Sequence, residues 1–336
     1  MKFTGYMYID GQLRKGTMKL DGGEYEFIEG ISNDGLYGTL IPMPVNAHTH
    51  LGDSFIGEEP AGTLPEIVGP GGLKHRRLKE ASNPTKTKYM GQSNKFMEDN
   101  GTISYFDFRE EGIQGIKNLK NSYRDFISPV IFGRCSNNTD NIDNVLTMSN
   151  GIGISSISDI DYDEALDISS KTHRRNKIVA MHFSENKRED IDKVINLNPD
   201  ILVHGIEAKN EDLDIVHNHK IPIVITPRSN IFYGKRPNYK KFINQKIDLM
   251  IGTDNVFVTE PDIFSEMDFL YRYQRFTDYI SPKTILRMAI DNPRKFMENN
   301  NLKVREKYIF FKNELLNEYQ LITKKHYFAS ENITHY

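Results

Sequence analysis

The sequence predicts an α/β protein built as a (β/α)8 TIM barrel with a small β-rich appendage. Three observations predict it. From about Leu40 onward, short apolar runs alternate with longer polar, helix-compatible stretches, the rhythm of βα units around a parallel sheet. Eight such runs can be counted between Leu40 and Gly252. Histidines and an aspartate stand at the C-terminal ends of several of them, the end at which such barrels carry their chemistry.

The first 40 residues have a different pattern from the rest of the chain. Short runs containing Tyr, Ile, Leu and Phe are punctuated by Asp10-Gly11, Asp21-Gly22-Gly23 and Asn33-Asp34-Gly35, which are tight-turn signals between antiparallel strands. The barrel runs are then Leu40–Asn46, Gly101–Phe108, Pro129–Gly133, Gly151–Ile157, Lys177–Met181, Asp200–Val203, Ile221–Thr226 and Asp248–Gly252. Between them, Asn94–Asp99, Asp163–Thr172, Glu189–Asn196 and Asn210–Asn218 carry helical spacing. Ser281-Pro282 opens a further helix with a serine cap and a proline at its first position, and that helix ends before Asn292-Pro293. From about Val304 two outcomes stand open: Lys307–Phe311 returns to the N-terminal sheet, or Asn313–Lys325 forms a terminal helix. The expected division is 1–38 for the small β-rich unit, 39–300 for the barrel and 301–336 for the C-terminal segment. One connection is unusually long. Leu51–Ser82 comes directly after the first barrel strand and carries nine glycines and prolines between Gly52 and Gly72; connections of that length are usually functional, so it is expected to cover or line the pocket.

Composition excludes several classes. At 336 residues the chain can bury a large core without staples. Cys135 is the only cysteine, which excludes an intrachain disulfide and a cysteine-rich metal site and fits a reducing compartment. A net charge of -3, from 43 basic and 46 acidic residues, offers no general field for a polyanion. The start Met1–Tyr6 lacks the apolar run of a signal peptide, and no stretch approaches about 18 apolar residues. The expectation is a cytoplasmic protein with a small-molecule substrate, without nucleic-acid or membrane partners, and compatible with a homo-oligomer.

The chemistry lies at the run ends. His48 and His50 stand two apart, so the period of a strand points both imidazoles to one side. His182, His204 and Asp254 come after the fifth, sixth and eighth runs. Any one of these is as readily a satisfied core or turn residue. Together, they read as a catalytic metal site. Imidazoles with one carboxylate suit one divalent ion, zinc first, with ferrous iron and manganese compatible. Such a site also needs a group to move protons. Glu185, three residues past His182, suits that task, the competing reading being a carboxylate at a helix N-terminus. His75 and Arg76 are candidate substrate contacts, against a solvent-facing basic turn at Lys74–Arg77. Arg228 is expected to face the pocket and meet a carbonyl, carboxylate or phosphate-like group, against pairing with a structural carboxylate such as Glu207 or one near Asp254.

In this order the motifs resemble the amidohydrolase superfamily: Asn46-Ala-His-Thr-His50, Met181-His-Phe-Ser-Glu185, Val203-His-Gly205, Thr226-Pro-Arg-Ser-Asn230 and Gly252-Thr-Asp-Asn255. The resemblance spans roughly residues 38 to 295 and is strongest to the mononuclear cytosine, adenosine, guanine and triazine-type deaminases. It implies that His48, His50, His182 and Asp254 bind one metal. It also implies that His204 orients the hydrolytic water and that Glu185 shuttles a proton to a ring nitrogen. Neither Gly151–Ile157 nor Pro129–Arg134 supplies the lysine that a second metal usually needs in this superfamily. Thr226-Pro-Arg departs from the Cys-Pro pair frequent before Ser-Asn, and a Gly-rich segment common at the return to the small sheet is missing. The implied activity is release of ammonia from a nitrogen heterocycle. The alternatives are hydrolysis of a cyclic amide or formimino C–N bond, and a catalytically inactive barrel used for binding.

Overall fold

The computed structural model describes residues 1–21, 24–124, 126–135, 141–303, 305–328 and 330–334. Gly22 and Gly23 of the second expected turn, and Val304 at the start of the C-terminal segment, lie outside them. Four strands come first: β1 (Lys2–Ile9), β2 (Gln12–Asp21), β3 (Glu24–Glu29) and β4 (Leu36–Pro42). The barrel strands are β5 (Val45–His50), β6 (Ser104–Arg109), β7 (Ser128–Gly133), β8 (Gly151–Ile154), β9 (Ile178–Phe183), β10 (Ile201–His204), β11 (Ile223–Ile225), β12 (Leu249–Ile251) and β13 (Asp254–Asn255). The last two strands are β14 (Lys307–Lys312) and β15 (Glu331–Thr334).

The β1–β2 hairpin turns at Asp10 and Gly11, with φ of 49° and 75°. Positive φ at both central residues matches the two-residue turn whose twist suits flanking strands. β4 joins β1 in parallel and β14 joins β4 antiparallel, giving the order β15-β14-β4-β1-β2-β3 around a separate core of Phe3, Met7, Met18, Leu40 and Phe310. Both outcomes held open for the C-terminus occur, since β14 completes the small sheet and Glu318–Lys324 is a helix.

The run expected as one strand over Leu40–Asn46 is two. β4 ends at Pro42, β5 begins at Val45, and Met43-Pro44 passes between the sheets. Two prolines in three residues cannot donate to a continuous ladder, so the strand breaks there. The other seven barrel runs carry strands within two or three residues of their expected bounds. β5 and β6 are buried throughout, as strands covered on both faces are.

The parallel sheet runs β12-β11-β10-β9-β8-β7-β6-β5-β13. β12 and β13 are pieces of one eighth strand, interrupted at Gly252-Thr253. Gly252 N–H donates to Ile225 O, Thr253 N–H donates to His48 O, and β13 pairs with β5, so the ring closes. Gly252 is needed at that seam: a Cβ there would lie 2.5 Å from His48 N. Ser281 caps its helix as expected, accepting from Thr284 N–H. The long connection carries two helices, Leu64–Val68 and Leu73–Glu80. No helix among the described residues is long and apolar enough to cross a membrane.

Candidate metal and catalytic site

The residues singled out at the run ends meet at one mouth of the barrel. His48 and His50 end β5, His182 lies in β9, His204 ends β10 and Asp254 opens β13. One ligand atom each from His48, His182 and His204 lies within 4.8 Å of the others, and the same holds for His48, His50 and Asp254, and for Glu185, His204 and Asp254. His204 and Asp254 have φ of 74° and 68°, and Ser184, beside Glu185, has 43°. Non-glycine residues in this region cost about 1–3 kcal/mol each and persist only where the surroundings fix them. Here they swing side chains off the strand ends toward one point.

The donor atoms fit a metal ion. His48 is fully buried, and neither ring nitrogen has a hydrogen-bond partner; its Nε2 lies 3.3 Å from Asp254 Oδ1. His50 Nε2 lies 3.3 Å from His182 Nε2 and 3.6 Å from the same Asp254 oxygen. Imidazoles held at about 2.0–2.1 Å by a tetrahedral ion stand about 3.3–3.4 Å apart, so these spacings are those of a shared cation. The outer faces of the rings are anchored. His50 Nδ1 is 2.8 Å from Glu110 Oε1, and His182 Nδ1 is 3.4 Å from Ile154 O. Such partners fix the tautomer and aim the other nitrogen inward. Asp254 directs Oδ1 to the histidines while Oδ2 accepts from Ser229 Oγ at 2.6 Å.

Electrostatics divide the carboxylates. Burial, with the charge of Asp254 adding to it, raises Glu185 well above the usual range against the pull of Lys235 and Lys74. Burial also acts on Asp254, but the imidazoles of His48, His204 and His50 outweigh it and hold it well below. Burial lowers His50 to about 4, with Lys74 adding to the effect and Glu110 opposing it, and burial lowers His204 to about 3. Burial lowers His182 as well, so these three imidazoles are held toward the neutral form, the one that binds metal. Two carboxylates pushed apart in this way divide into an acid and a base. Glu185 lies in the loop after β9, well before the helix that starts at Ile191; the helix-terminus reading does not describe it. Its Oε1 is 3.6 Å from His204 Nε2.

His204 carries a legible proton. Tyr239 O–H donates to Asn230 Oδ1 at 2.9 Å, which turns the amide nitrogen toward His204 Nδ1 at 3.4 Å. Thr226 Oγ1, 3.2 Å from the same nitrogen, can serve as its donor too; with Nδ1 accepting, Nε2–H points toward Glu185 and the cavity.

Arg228 does not line the cavity. Its fork is spent on Glu266 Oε2 at 2.5 Å, Glu260 Oε1 at 2.7 Å and the Glu260 carbonyl. The substrate contact expected of Arg228 gives way to a structural one, and the partner is Glu266, not Glu207, which pairs with Lys235. The helix of the long connection turns the basic stretch the other way round. Lys74 is buried, 2.5 Å from Glu110 and 3.7 Å from Asp53, His75 lines the cavity, and Arg77 pairs outside with Glu58. Glu110, Lys74, Ser229 and Asn230 were not singled out from sequence. The signal for Glu110 is the charged triplet Arg109-Glu110-Glu111 directly after an apolar run, and for Ser229 and Asn230 it is their place just past the seventh. Lys74 had none, since burial of a lysine within Lys74–Arg77 depends on packing of the whole connection.

The cavity in front of these residues measures about 250 Å³ and is walled in part by Leu64, Pro65 and Val68 of the long connection. Comparison with known proteins agrees with this picture. The amidohydrolase family model matches residues 39–300. An uncharacterized protein of Methanocaldococcus jannaschii is 32% identical over 324 residues, covering 87% of this chain and 83% of its own length. Among solved structures, 5-methylcytosine deaminase from Klebsiella pneumoniae, liganded with phosphonocytosine, superposes with a TM-score of 0.77 at 12% identity, covering 100% of this chain and 97% of its own. Atrazine chlorohydrolase from Arthrobacter aurescens, complexed with zinc, gives 0.74 at 12%, covering 93% and 87%. At such identities the two structures speak for the fold.

Proposed function

The chain belongs to the amidohydrolase family, and from that premise we propose that it is a metal-dependent aminohydrolase that replaces the amino group of a nitrogen heterocycle by oxygen. The observation that carries this reading is the convergence of His48, His50, His182, His204, Asp254 and Glu185 at the mouth of the barrel, with Glu185 raised and Asp254 lowered from the usual carboxylate range. His48, His50, His182 and Asp254 would hold one divalent ion. We take it to be zinc, which the borderline N/O donor set suits and which the atrazine chlorohydrolase of like fold holds. One ion is favoured because the cation facing Glu110 and Asp53 is the ammonium of Lys74. When bound, the ion supplies Lewis acidity and lowers the pKa of water beside it.

The chain's own groups do the rest. Asp254, ionised, takes a proton from the attacking water. Glu185, protonated, gives its proton to the ring nitrogen next to the carbon under attack. His204 donates from Nε2 to the oxygen being added, where negative charge develops. A C–O bond forms, the exocyclic C–N bond breaks, and ammonia leaves with the proton taken up by Asp254, while the added hydroxyl gives its remaining proton back to Glu185 as it becomes the ring carbonyl. Val68, Leu64 and Pro65 keep water from that face of the substrate.

Elemental analysis joined to an ammonia-release panel of aminopurines, aminopyrimidines, pterins and triazines tests this. One ion per chain is expected, with turnover of at least one panel member and loss of that turnover in Glu185→Gln. Metal-free active protein, an obligatory pair of ions, or a fully active Glu185→Gln protein would each overturn it.

A further inference from the structure

Beyond the metal cluster, the cavity wall formed by three successive strand tips has its own chemistry. Arg134 comes after β7, Ser155 and Ser158 after β8, and Lys187 after β9, all lining the same cavity. The backbone of Arg134 is held from both sides, its N–H donating to Arg109 O and its carbonyl accepting from Gly112 N–H. Its half-buried guanidinium has no hydrogen bond or ion pair to any described residue, and neither has the Lys187 ammonium. Other cations around this mouth are matched: Lys74 with Glu110, Arg109 with Glu110, Lys235 with Glu207. His75 adds a donor, because its Nδ1 accepts from Gly71 N–H and its proton therefore sits on Nε2. Asp159 is the acid on this wall: burial raises its carboxyl while the charges of Arg134 and Lys187 pull it down, yet neither cation closes to an ion pair with it among the described residues. No phenylalanine or tyrosine lines the cavity among the described residues. Planar contact there is left to the His75 ring and the Arg134 guanidinium, so charge carries much of the recognition.

We propose that this wall is an oxyanion subsite: the substrate carries a phosphate ester or carboxylate that Arg134 grips with its fork, with Lys187 and the hydroxyls of Ser155 and Ser158 completing the contacts. The planar fork matches either group, and desolvation by the cavity strengthens the bond. This rests on the aminohydrolase reading for the identity of the reacting end, while the subsite has a test of its own.

Binding of inorganic phosphate, and separately of succinate, to the metal-loaded protein is measured by calorimetry for wild type, Arg134→Gln and Lys187→Gln. Unchanged metal content and melting temperature check that both variants keep the fold. The expected result is binding of at least one anion to wild type and a loss of about tenfold or more in Arg134→Gln, the scale of one charged hydrogen bond. Preference for phosphate or for succinate identifies the source of the oxyanion. Absent binding, or equal binding by all three proteins as a direct contact with the metal would give, overturns the subsite. A second arm compares ammonia release from nucleosides and their monophosphates, and from aminopyrimidines and their carboxylates. A higher kcat/KM for the anionic member, carried by KM and narrowed in Arg134→Gln, supports the subsite; indifference to the anion overturns it and leaves the aminohydrolase reading standing. If no pair turns over, that reading has failed on this panel, and the calorimetry still decides the subsite.

Discussion

The proton on His204 is placed by two residues that do not enter the cavity. Because Tyr239 O–H occupies Asn230 Oδ1, the amide can offer only N–H to His204 Nδ1, and His204 must donate from Nε2. Replacing Asn230 with Asp inverts that demand, since a carboxylate asks Nδ1 to donate and leaves Nε2 without its proton. Asn230→Asp is expected to lower kcat by about tenfold to a hundredfold, the worth of one donor to developing charge, with metal content unchanged; steady-state kinetics on the identified substrate check it. Arg228 makes the opposite case, a residue whose exposed-looking chemistry turns out structural. Burial pushes Glu266 up to about 7, with Arg228 pulling it down. A carboxyl raised above its unfolded value favours the folded state at low pH, and that contribution is lost as pH rises through about 7. Arg228→Met takes away the cation that makes the ionised form tolerable. The destabilisation is therefore expected to grow from little at about pH 6 toward about 3–5 kcal/mol at about pH 9, the cost of stranding a buried charge. Urea unfolding across that range checks it, and a flat difference would return Arg228 to the recognition role first expected of it.

Elements contribute by delivering residues that their own sequence does not advertise. The run ends were legible because strand period and apolar patterning place His48, His50, His182, His204 and Asp254 without reference to neighbours. The supporting groups were not. Lys74 reads as one of four basic residues in a turn, yet the helix Leu73–Glu80 buries it against Glu110 and Asp53 while leaving Arg77 outside. Which face of that helix turns inward is decided by contacts with Leu51–Asp53 and with Glu110, tens of residues away. The break at Met43-Pro44 was missed because apolar character continues across it, although the two prolines carried the signal. Glu110 joins the two levels: it accepts from His50 Nδ1 and is held ionised, against its burial, by Lys74, His50 and Arg109. Glu110→Gln keeps the shape and loses the charge that makes His50 a strong donor. Loss of such an outer partner costs about 10–100-fold in metal affinity. Competition with a chromophoric chelator is expected to show that drop, with turnover restored by excess metal.

At the scale of the whole molecule the metal ligands act as a belt. The proposed ligands come from β5, β9 and β13, so an ion bound to them would tie the first barrel strand to the fifth across the mouth and to the eighth at the seam where the ring closes. Without an ion, His48 Nε2 faces Asp254 Oδ1 at 3.3 Å but makes no hydrogen bond among the described residues, and an unsatisfied buried polar group costs about 1–3 kcal/mol. Binding energy at such a site is folding energy, and an ion present at about 100 times its Kd adds about 2.7 kcal/mol. The small sheet stands apart from this belt. Its core of Phe3, Met7, Met18, Leu40 and Phe310 is a separate cluster, and none of the candidate ligands lies in its strands. Removal of the metal by chelation is therefore expected to act on one part of the chain. Amide hydrogen exchange should speed up in β5, β9 and β13 by the loss of roughly 2–3 kcal/mol of protection, while the β1–β2 hairpin keeps its rate. Uniform loss across both sheets would mean that the two cores unfold as one cooperative unit. No change in either would mean that the histidines do not hold an ion that contributes to the fold, and the metal reading would then have to be abandoned along with the proton chemistry built around it.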